Sequence, residues 1–342
     1  MELPRATLKD VAKRSGYALR TVKKVMSGEE SVKDSTRIAV LQAAFELNYK
    51  RNILASTLSK SRDRRIAILY TETTKAYFPE VERGFTQCAE ELKDFRLLVE
   101  FHKITDLDVS FQVAALKKIL ADNDVEGLII QPIGKTCLNP YIDSFADAGK
   151  PVIAFGADAP SSKRLSYIGP DAYKSGRIGA QILANYIGKE GKAAIISDIE
   201  EHMQTYDRIR GFNDRIKEHY PSIHVTNLNI PINSPSYYEH VKAILTKESY
   251  KGIFCTDANT SIVGETLRDL EIKDTAVVGF DISHEAAELM KQGYLKVIIE
   301  QNPYQFSYSA LRMMFNYLYL GVVPEKTQHT GLSILTSECL EI

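Results

Sequence analysis

The chain has 342 residues, which is too long for one ordinary hydrophobic core and predicts two or three domains of typical size. Hydrophobic residues make up 44% of it and charged residues 25%, as in ordinary soluble globular proteins, so a mostly disordered chain is excluded. The net charge of −1 conceals an asymmetry, because residues 1–65 carry 15 Lys and Arg against 7 Asp and Glu, whereas residues 66–342 carry 28 against 37. The basic segment favours a polyanionic partner; a solvated charged surface is the alternative.

The beginning of the chain predicts three short helices: Leu8–Ser15, Leu19–Ser27 and Ser35–Asn48. Gly16 and Gly28 follow the first two helices and are residues that commonly end a helix. Two short helices joined by a tight turn at residues 15–18 form a helix-turn-helix candidate. We therefore expect residues 1–50 to form a small helical domain, the head.

Residues 51–64, the hinge, predict a short helix followed by a linker. Asn52 is suited to cap this helix. One helical face carries four side chains: Ile53, Leu54, Thr57 and Leu58. Isolated helices shorter than roughly 12–15 residues are marginal in water, so we expect the hinge helix to fold only against a partner.

Beyond Arg65, in a segment that we name the body (residues 65–342), strand-like runs alternate with helical periods. The runs are Ile66–Tyr70, Arg96–Phe101, Gly127–Gln131, Val152–Phe155, Ala193–Ser197, Val225–Ile230, Gly252–Cys255, Ala276–Phe280 and Lys296–Glu300. This alternation predicts an α/β fold with two doubly wound parallel sheets. We expect one subdomain at about 66–172 and 302–326, and a second at about 173–301 and 327–342.

Several classes of function are disfavoured because their motifs are missing. Gly134-Lys135-Thr136 resembles the end of a phosphate-binding loop, but the position of the required first glycine holds Ile129, and no GxSxG, HExxH or GxGxxG occurs. The four cysteines show no CxxC spacing, so we expect no metal and no cofactor. The chain has no signal-peptide core and no apolar run of about 18 residues, so we expect a cytoplasmic protein without a membrane partner.

A resemblance to the lactose-repressor (LacI/GalR) family of bacterial transcription regulators is carried by ATLKDVAKRSGYALRTVKKVMSGEESVKDSTRIAVLQAAFELNYKRN. The segment follows the family patterns TxxDVAxxAGVSxxTVSRVLNG and VxxxTRxxVxxAxxELxYxPN. The matching residues are Thr7, Asp10, Val11, Ala12, Gly16, Thr21, Val22, Val25, Gly28, Val32, Thr36, Arg37, Val40, Ala44, Glu46, Leu47, Tyr49 and Asn52. The chain departs from the pattern at Ala18, which cannot cap the second helix as the usual Ser does, at Lys23-Lys24 in place of Ser-Arg, and at Arg51 in place of Pro.

The resemblance implies that the second helix enters the major groove of operator DNA. Three residues would then face base edges: Leu19, Arg20 and Lys24. Four others would bond phosphates by their hydroxyl groups: Thr7, Thr21, Thr36 and Tyr49. For Thr36, stabilisation of its own helix start is an equal alternative. The resemblance further implies that two hinge helices fold against each other on DNA, with Asn52 at their start and Leu58 wedged into a minor-groove base step.

The body resembles periplasmic sugar-binding proteins. The resemblance places Tyr77 or Phe78 after the first strand, stacked on a sugar ring; one of the pair is expected in the core, and we favour Phe78 for the cleft. It also implies three polar contacts to the ligand: Arg208 in the RxxGF motif, Asp281 after a strand, and Gln301 in EQNPYQ. Weaker candidates are Asp158, Asp257 and Asn259. An ion pair between Arg208 and Asp281 is the structural alternative, and Asp171 matches a family element in which it could instead cap a helix.

The resemblance as a whole implies a homodimeric transcription regulator, with repression as the expected mode, whose affinity for double-stranded operator DNA is controlled by a sugar or sugar derivative. Inducer and corepressor roles of the sugar remain open alternatives. A sugar-binding transport component is an alternative function, and an enzyme acting on sugars is another. The basic head disfavours the first alternative, and the missing catalytic motifs disfavour the second.

Overall fold

The structure, a computed structural model, describes residue 6 and residues 8–26, 32–47, 63–72, 77–197, 202–230, 236–257 and 259–340. The chain divides into two compact units, residues 1–61, which contain the head, and residues 62–342, which contain the body. The division falls within the segment predicted as the hinge.

The head consists of α1 (Leu8–Ser15), α2 (Leu19–Met26) and α3 (Asp34–Glu46), in agreement with the three predicted helices. Its small core contains Val11, Val22, Val25, Val40, Ala43 and Ala44. Gly16 has φ +75°, a conformation that glycine adopts without strain, and it ends α1. Arg14 of α1 forms an ion pair of 2.6 Å with Glu46 of α3, which joins the first and last helices at the surface.

The strands of the body form two six-stranded sheets. In chain order they are β1 (Arg64–Thr71), β2 (Leu97–Ile104), β3 (Val125–Ile130), β4 (Val152–Phe155), β5 (Ser166–Pro170), β6 (Gly191–Ser197), β7 (Ile223–Asn229), β8 (Gly252–Cys255), β9 (Ala276–Phe280), β10 (Val297–Glu300), β11 (Thr327–Thr330) and β12 (Ser333–Leu335). The first sheet has the order β11-β5-β4-β3-β1-β2 and is parallel throughout. The second has the order β12-β10-β9-β8-β6-β7, and only β12 is antiparallel.

Helices cover both faces of each sheet. They are α4 (Phe78–Leu92), α5 (Val109–Ala121), α6 (Asn139–Asp147), α7 (Ala172–Tyr186), α8 (Met203–His219), α9 (Tyr237–Lys247), α10 (Thr260–Asp269), α11 (His284–Lys291) and α12 (Pro303–Leu320). In β1, Ile66 and Ile68 face α4 and α12, whereas Ala67 and Leu69 face α5 and α6. Such two-sided burial is typical of parallel sheets and explains the continuous apolar runs in the sequence.

Each predicted strand is present, with shifts of at most a few residues at its ends, whereas β5, β11 and β12 were not predicted. The subdomain boundary predicted before residue 327 is wrong. Residues 327–330 were assigned to the second subdomain, but they form β11, which pairs with β5 at the edge of the first sheet. The chain crosses to the second sheet only afterwards, where β12 pairs with β10. Within the described ranges, no helix is long and apolar enough to cross a membrane.

Candidate functional site

The candidate site lies where strands of the second sheet end. Thr256, Asp281 and Gln301 directly follow β8, β9 and β10, which are neighbours in that sheet. All three residues are buried. In open parallel sheets, ligands bind at the carboxyl ends of the strands, so this position is favourable for a binding site.

Gln301 connects the polar groups at this edge. Its side-chain Nε2 donates to Asp281 Oδ1 at 2.7 Å, and its Oε1 accepts a hydrogen bond of 2.6 Å from Arg208 Nη2. Gln204 Nε2 donates to the same oxygen at 2.9 Å. The structure therefore brings together Arg208, Asp281 and Gln301, which the sequence had placed at a common ligand site. Instead of a simple ion pair, it shows Gln301 bonded to both charged residues.

Asp281 is a strained and electrostatically perturbed residue. Its φ is +61°, a left-handed conformation that is uncommon for residues other than glycine. Burial raises the pKa of its carboxyl group to about 7, and the nearby carboxylate of Glu300 adds to the rise, whereas Arg208 and the bond from Gln301 oppose it. Backbone strain and shifted pKa values are more frequent at functional sites than elsewhere in proteins.

Close helix packing holds Arg208 in place. A Cβ atom on Gly176 of α7 would lie 2.0 Å from the carbonyl oxygen of Arg208, and one on Gly211 of α8 would lie 2.0 Å from the carbonyl oxygen of Tyr173. Both positions therefore require glycine. Arg208 itself donates from Nη1 to the Thr256 carbonyl at 2.5 Å, and its guanidinium lies 3.7 Å from the centre of the Phe280 ring. The glycine of the RxxGF motif thus positions its arginine.

The carboxyl ends of the first sheet contribute the opposite wall. Gln131 follows β3, and its Nε2 donates to the Tyr77 hydroxyl at 3.2 Å. Burial raises the pKa of Tyr77, and the charge of Asp281 adds to this rise, so groups from the two sheets act on each other. Lys135, after β3, also lies 4.0 Å from the ring centre of Tyr206 on α8. We name the space between these two sets of strand ends the cleft.

Sequence reasoning chose the wrong aromatic residue and missed an amide. Phe78 was favoured for the cleft, but its ring stacks on Tyr70 at 5.5 Å and belongs to the hydrophobic core. Tyr77, also largely buried, is the residue whose hydroxyl meets the polar groups. Gln131 was not predicted as a site residue, although it is the polar residue that ends a predicted apolar strand, a signal that could have identified it.

Two of the three weaker candidates, Asp158 and Asp257, have structural partners for their side chains. Asp158 forms an ion pair with the buried Arg164, with Oδ1 2.5 Å from Nε and Oδ2 2.8 Å from Nη2. Asp257 Oδ1 accepts from the Asn259 backbone nitrogen at 2.8 Å and so shapes the turn before α10. Asn259 Nδ2 is buried without a hydrogen-bond partner among the described residues. Asp171 caps α7 by accepting from the Lys174 backbone nitrogen at 2.9 Å.

A cavity of about 100 Å³ opens beside this polar network. Its walls come from β5, with Tyr167, from the loop after β4, with Asp158, and from α7 and α8, with Tyr173, Gln204 and Asp207. Gln204 thus lines the cavity and also bonds to Gln301. No group of three or more His, Cys, Asp or Glu within the described ranges is arranged to hold a metal ion.

In the head, α2 exposes a basic face. Val22 and Val25 are buried against α1 and α3, so Arg20 lies on the opposite, exposed side of the helix, with Lys24 half-exposed beside it. Leu19, Thr21 and, on α3, Thr36 are half-exposed. Four predicted DNA contacts lie outside the described residues: Thr7, Tyr49, Asn52 and Leu58.

Comparison with known proteins identifies both units. The family described as "Bacterial regulatory proteins, lacI family" matches residues 7–52, and "Periplasmic binding protein domain" matches residues 66–321. The HTH-type transcriptional regulator RegA of Clostridium saccharobutylicum is 25% identical over 321 residues, which are 91% of this chain and 92% of RegA. The sucrose operon repressor of Pediococcus pentosaceus is 23% identical over 278 residues, which are 80% of this chain and 81% of that protein.

Solved structures agree on the fold of the body. GanP, a glucose-galactose binding protein from Geobacillus stearothermophilus, has a TM-score of 0.76 at 23% identity, covering 82% of this chain and 100% of GanP. AraP, an arabinose binding protein from the same organism, has a TM-score of 0.67 at 24% identity, covering 81% of this chain and 98% of AraP. The chain therefore belongs to the lacI family of bacterial regulatory proteins, and it is a DNA-binding transcriptional regulator with a periplasmic binding protein domain as its body.

Proposed function

We propose that the protein is a homodimeric cytoplasmic repressor whose affinity for operator DNA is controlled by a sugar bound in the cleft. The observation that carries this proposal is the bonded network of Arg208, Gln301 and Asp281 at the carboxyl ends of adjacent strands. Relatives named as a sucrose operon repressor and as sugar-binding proteins support a sugar as the ligand.

Sugar hydroxyl groups suit this network chemically. Each hydroxyl both donates and accepts a hydrogen bond, so it can donate to the Asp281 carboxylate and accept from a neighbouring amide. Bonds to ionised groups are roughly twice as strong as neutral ones, which favours Asp281 and Arg208 as anchors. We propose that Gln301 and Tyr77 orient the sugar. Asp158, Asp257 and Asn259 are proposed as surrounding contacts, and Phe78 supports Tyr77 from the core.

For the head, we propose that α2 reads operator bases. Arg20 and Lys24 carry long cationic side chains on its outer face, and an arginine can bond a guanine through two donors. Leu19 contacts base edges beside them. The proposed phosphate contacts are Thr7, Thr21, Thr36 and Tyr49, and the proposed hinge contacts are Asn52 and Leu58.

Coupling between cleft and head requires two states of the protein that bind the sugar with different affinities. A sugar that binds better to the state with low affinity for DNA weakens operator binding. By reciprocity, operator DNA lowers the affinity for the sugar by the same factor. A hinge that is stable only against its partner copy is suited to this role, because a change in the distance between the two bodies would unfold it.

The experiment uses the full-length protein in two steps. Operator sequences are selected from random DNA duplexes, and a panel of pentoses and hexoses is screened by isothermal titration calorimetry. We expect one selected, partly palindromic DNA sequence and at least one sugar that binds to wild-type protein but not to Asp281→Ala. Saturable sugar binding that survives Asp281→Ala would remove the cleft as the site.

A further inference from the structure

We infer that Glu300 is a positioning residue of the sugar site, because its carboxylate holds the two turns that carry Asp281 and Gln301. The inference rests on the proposed function, and it adds to the site a residue that the sequence did not single out. It comes from the hydrogen bonds of Glu300 and from the backbone conformation of the residues around it.

The carboxylate of Glu300 bonds one backbone N–H group in each of two loops. The Ile282 nitrogen, one residue after Asp281, donates to Oε2 at 3.1 Å. The Asn302 nitrogen, one residue after Gln301, donates to Oε1 at 3.2 Å and lies nearer to solvent. One side chain therefore joins the loop after β9 to the loop after β10, directly beside two proposed sugar contacts.

The alternation of side chains along β10 places Glu300 and Gln301 on opposite faces of the sheet. Ile298 packs into the cluster formed with α9, α10 and α11, whereas Ile299 packs into the cluster formed with α7 and α8. Glu300 continues the first face, against which Ile282 also packs. Gln301 continues the second face, where it bonds side chains of α8. Glu300 thus supports the site from the face of the sheet that is turned away from α8.

Both turns contain a residue with a strained backbone. Asp281 has φ +61° and Asn302 has φ +57°, values in the left-handed region, which a Cβ atom disfavours. Strain of this kind persists only where surrounding contacts hold the residue in place. Asn302 has one such contact in its own side chain, which accepts from the Gln305 nitrogen at 3.2 Å and caps α12. The two bonds to Glu300 supply further contacts, one at Asn302 itself and one directly after Asp281.

The contact requires a carboxylate. Two N–H groups approach two different oxygens, whereas an amide in the same place offers one oxygen and would turn its NH₂ group toward the other N–H. The negative charge has an electrostatic cost, because it raises the pKa of Asp281 and so opposes the ionised form that the sugar is proposed to select. Glu300 therefore holds Asp281 in place and at the same time opposes its ionisation, and experiments can separate these two effects.

Other groups act on the Asp281 carboxyl group from the elements around it. Burial and Glu300 raise the pKa of Asp281, whereas Arg208 of α8 and the Gln301 amide lower it. The Tyr77 hydroxyl faces Asp281 from the opposite wall, and burial raises the pKa of Tyr77, so it stays protonated near neutral pH. Removal of the charge of Glu300 should therefore lower the pKa of Asp281, and sugar binding should then persist to lower pH.

The test uses the full-length protein and two variants that remove different parts of the contact. Glu300→Gln keeps one acceptor oxygen and loses the charge, whereas Glu300→Ala loses both oxygens. Glu288→Gln is the matched control, because Glu288 lies on α11 of the same subdomain in an exposed pair with Lys291. Glucose, galactose, arabinose and ribose are titrated singly by isothermal titration calorimetry at pH 8 and at pH 6, and melting curves monitor folding.

At pH 8 we expect sugar affinity to fall several-fold in Glu300→Gln and at least about tenfold in Glu300→Ala. The ratio of the affinities at pH 8 and pH 6 should shrink in both variants, because Asp281 stays ionised to lower pH. Glu288→Gln should match wild type in both measurements. Equal affinity of the two Glu300 variants, at or above that of wild type at pH 8, would show an effect of charge alone. A lower melting temperature with wild-type affinity would show an effect on folding alone, and either result overturns the inference.

Amide hydrogen exchange on the sugar-free protein tests the contact independently of any ligand. We expect the amide of Ile282 or that of Asn302 to exchange faster in Glu300→Gln than in wild type, and both to do so in Glu300→Ala. Glu288→Gln should leave both rates unchanged. Unchanged exchange in Glu300→Ala overturns the inference. If wild-type protein binds none of the four sugars while exchange is faster in Glu300→Ala and operator binding is intact, the proposed function of the cleft is overturned instead.

Discussion

Gln301 donates a hydrogen bond of 2.7 Å to the carboxylate of Asp281, so the residue after β10 directly supports the residue after β9. The bond joins an uncharged amide to a buried acid whose pKa is raised to about 7. Burial and the Glu300 carboxylate raise the pKa of Asp281 by more than Gln301 and Arg208 lower it. The carboxyl group is therefore close to half-ionised at neutral pH. A hydroxyl donor from a ligand would favour its ionised form.

Sugar affinity should therefore depend on pH. A ligand hydroxyl that donates to Asp281 selects the carboxylate, and the ionised fraction of a group with a pKa of about 7 falls about tenfold between pH 8 and pH 6. We expect sugar affinity to fall by about the same factor over that range when it is measured by calorimetry. Asp281→Asn serves as control, since any residual binding should lose this pH dependence. Tighter binding at pH 6 would mean that the protonated acid is the form that binds.

The two aromatic residues at the start of α4 should differ in their roles. Tyr77→Phe removes a hydroxyl that bonds Gln131, so we expect weaker sugar binding with little loss of stability. Phe78→Leu removes a ring that stacks on Tyr70 in the core, so we expect a lower melting temperature and nearly unchanged sugar affinity. Melting curves and calorimetry on both variants separate the effects, and the reverse pattern would return Phe78 to the cleft.

Helix packing at the RxxGF motif gives a third prediction. Gly211→Ala places a Cβ atom against the Tyr173 carbonyl, a backbone atom that can move only with its helix. We expect a loss of about 1–3 kcal/mol in the free energy of unfolding and weaker sugar binding, because α8 carries Arg208. Gly331→Ala is the matched control, since its Cβ atom would have no neighbour within 4 Å. Equal denaturation midpoints for the two variants would contradict the packing argument.

Arg20 supplies the prediction for the head. Its side chain is exposed on α2, and loss of one guanine contact costs about 1–3 kcal/mol, or roughly 5- to 150-fold in specific affinity. We expect Arg20→Ala to lower specific DNA binding at fixed salt while sugar affinity stays unchanged. Lys13, on α1, is also an exposed cation, and Lys13→Ala should leave the ratio of specific to non-specific binding unaltered. If both variants lower this ratio equally, α2 is not the helix that reads operator bases.

The sequence predicted most of the fold because parallel strands buried on both faces leave continuous apolar runs. Asp281 and Gln301 were placed by the resemblance to periplasmic sugar-binding proteins, and the fold agrees, since polar residues directly after such runs share one edge of the sheet. β5 was missed because SYIGP contains Gly and Pro and is held by its neighbours β4 and β11 instead of by strong local propensity. β11 is a polar edge strand, and its partner lies more than 150 residues earlier in the chain.

The choice between Tyr77 and Phe78 could not be made from the sequence. Adjacent residues differ by about 100° around a helix, and their orientation depends on where α4 begins and on Tyr70, which belongs to another element. Gln131 was missed for a related reason. Its importance comes from the Tyr77 hydroxyl that it bonds, a contact between positions 54 residues apart.

The affinity of the full-length protein for its selected operator, measured at pH 8 and fixed salt with and without the tightest-binding sugar, tests the central claim most directly. Allosteric coupling typically changes affinity by about 5- to 150-fold. We predict a change of this order in wild-type protein and no change in Asp281→Asn. Equal operator affinity of wild-type protein in the absence and presence of saturating sugar would contradict the account.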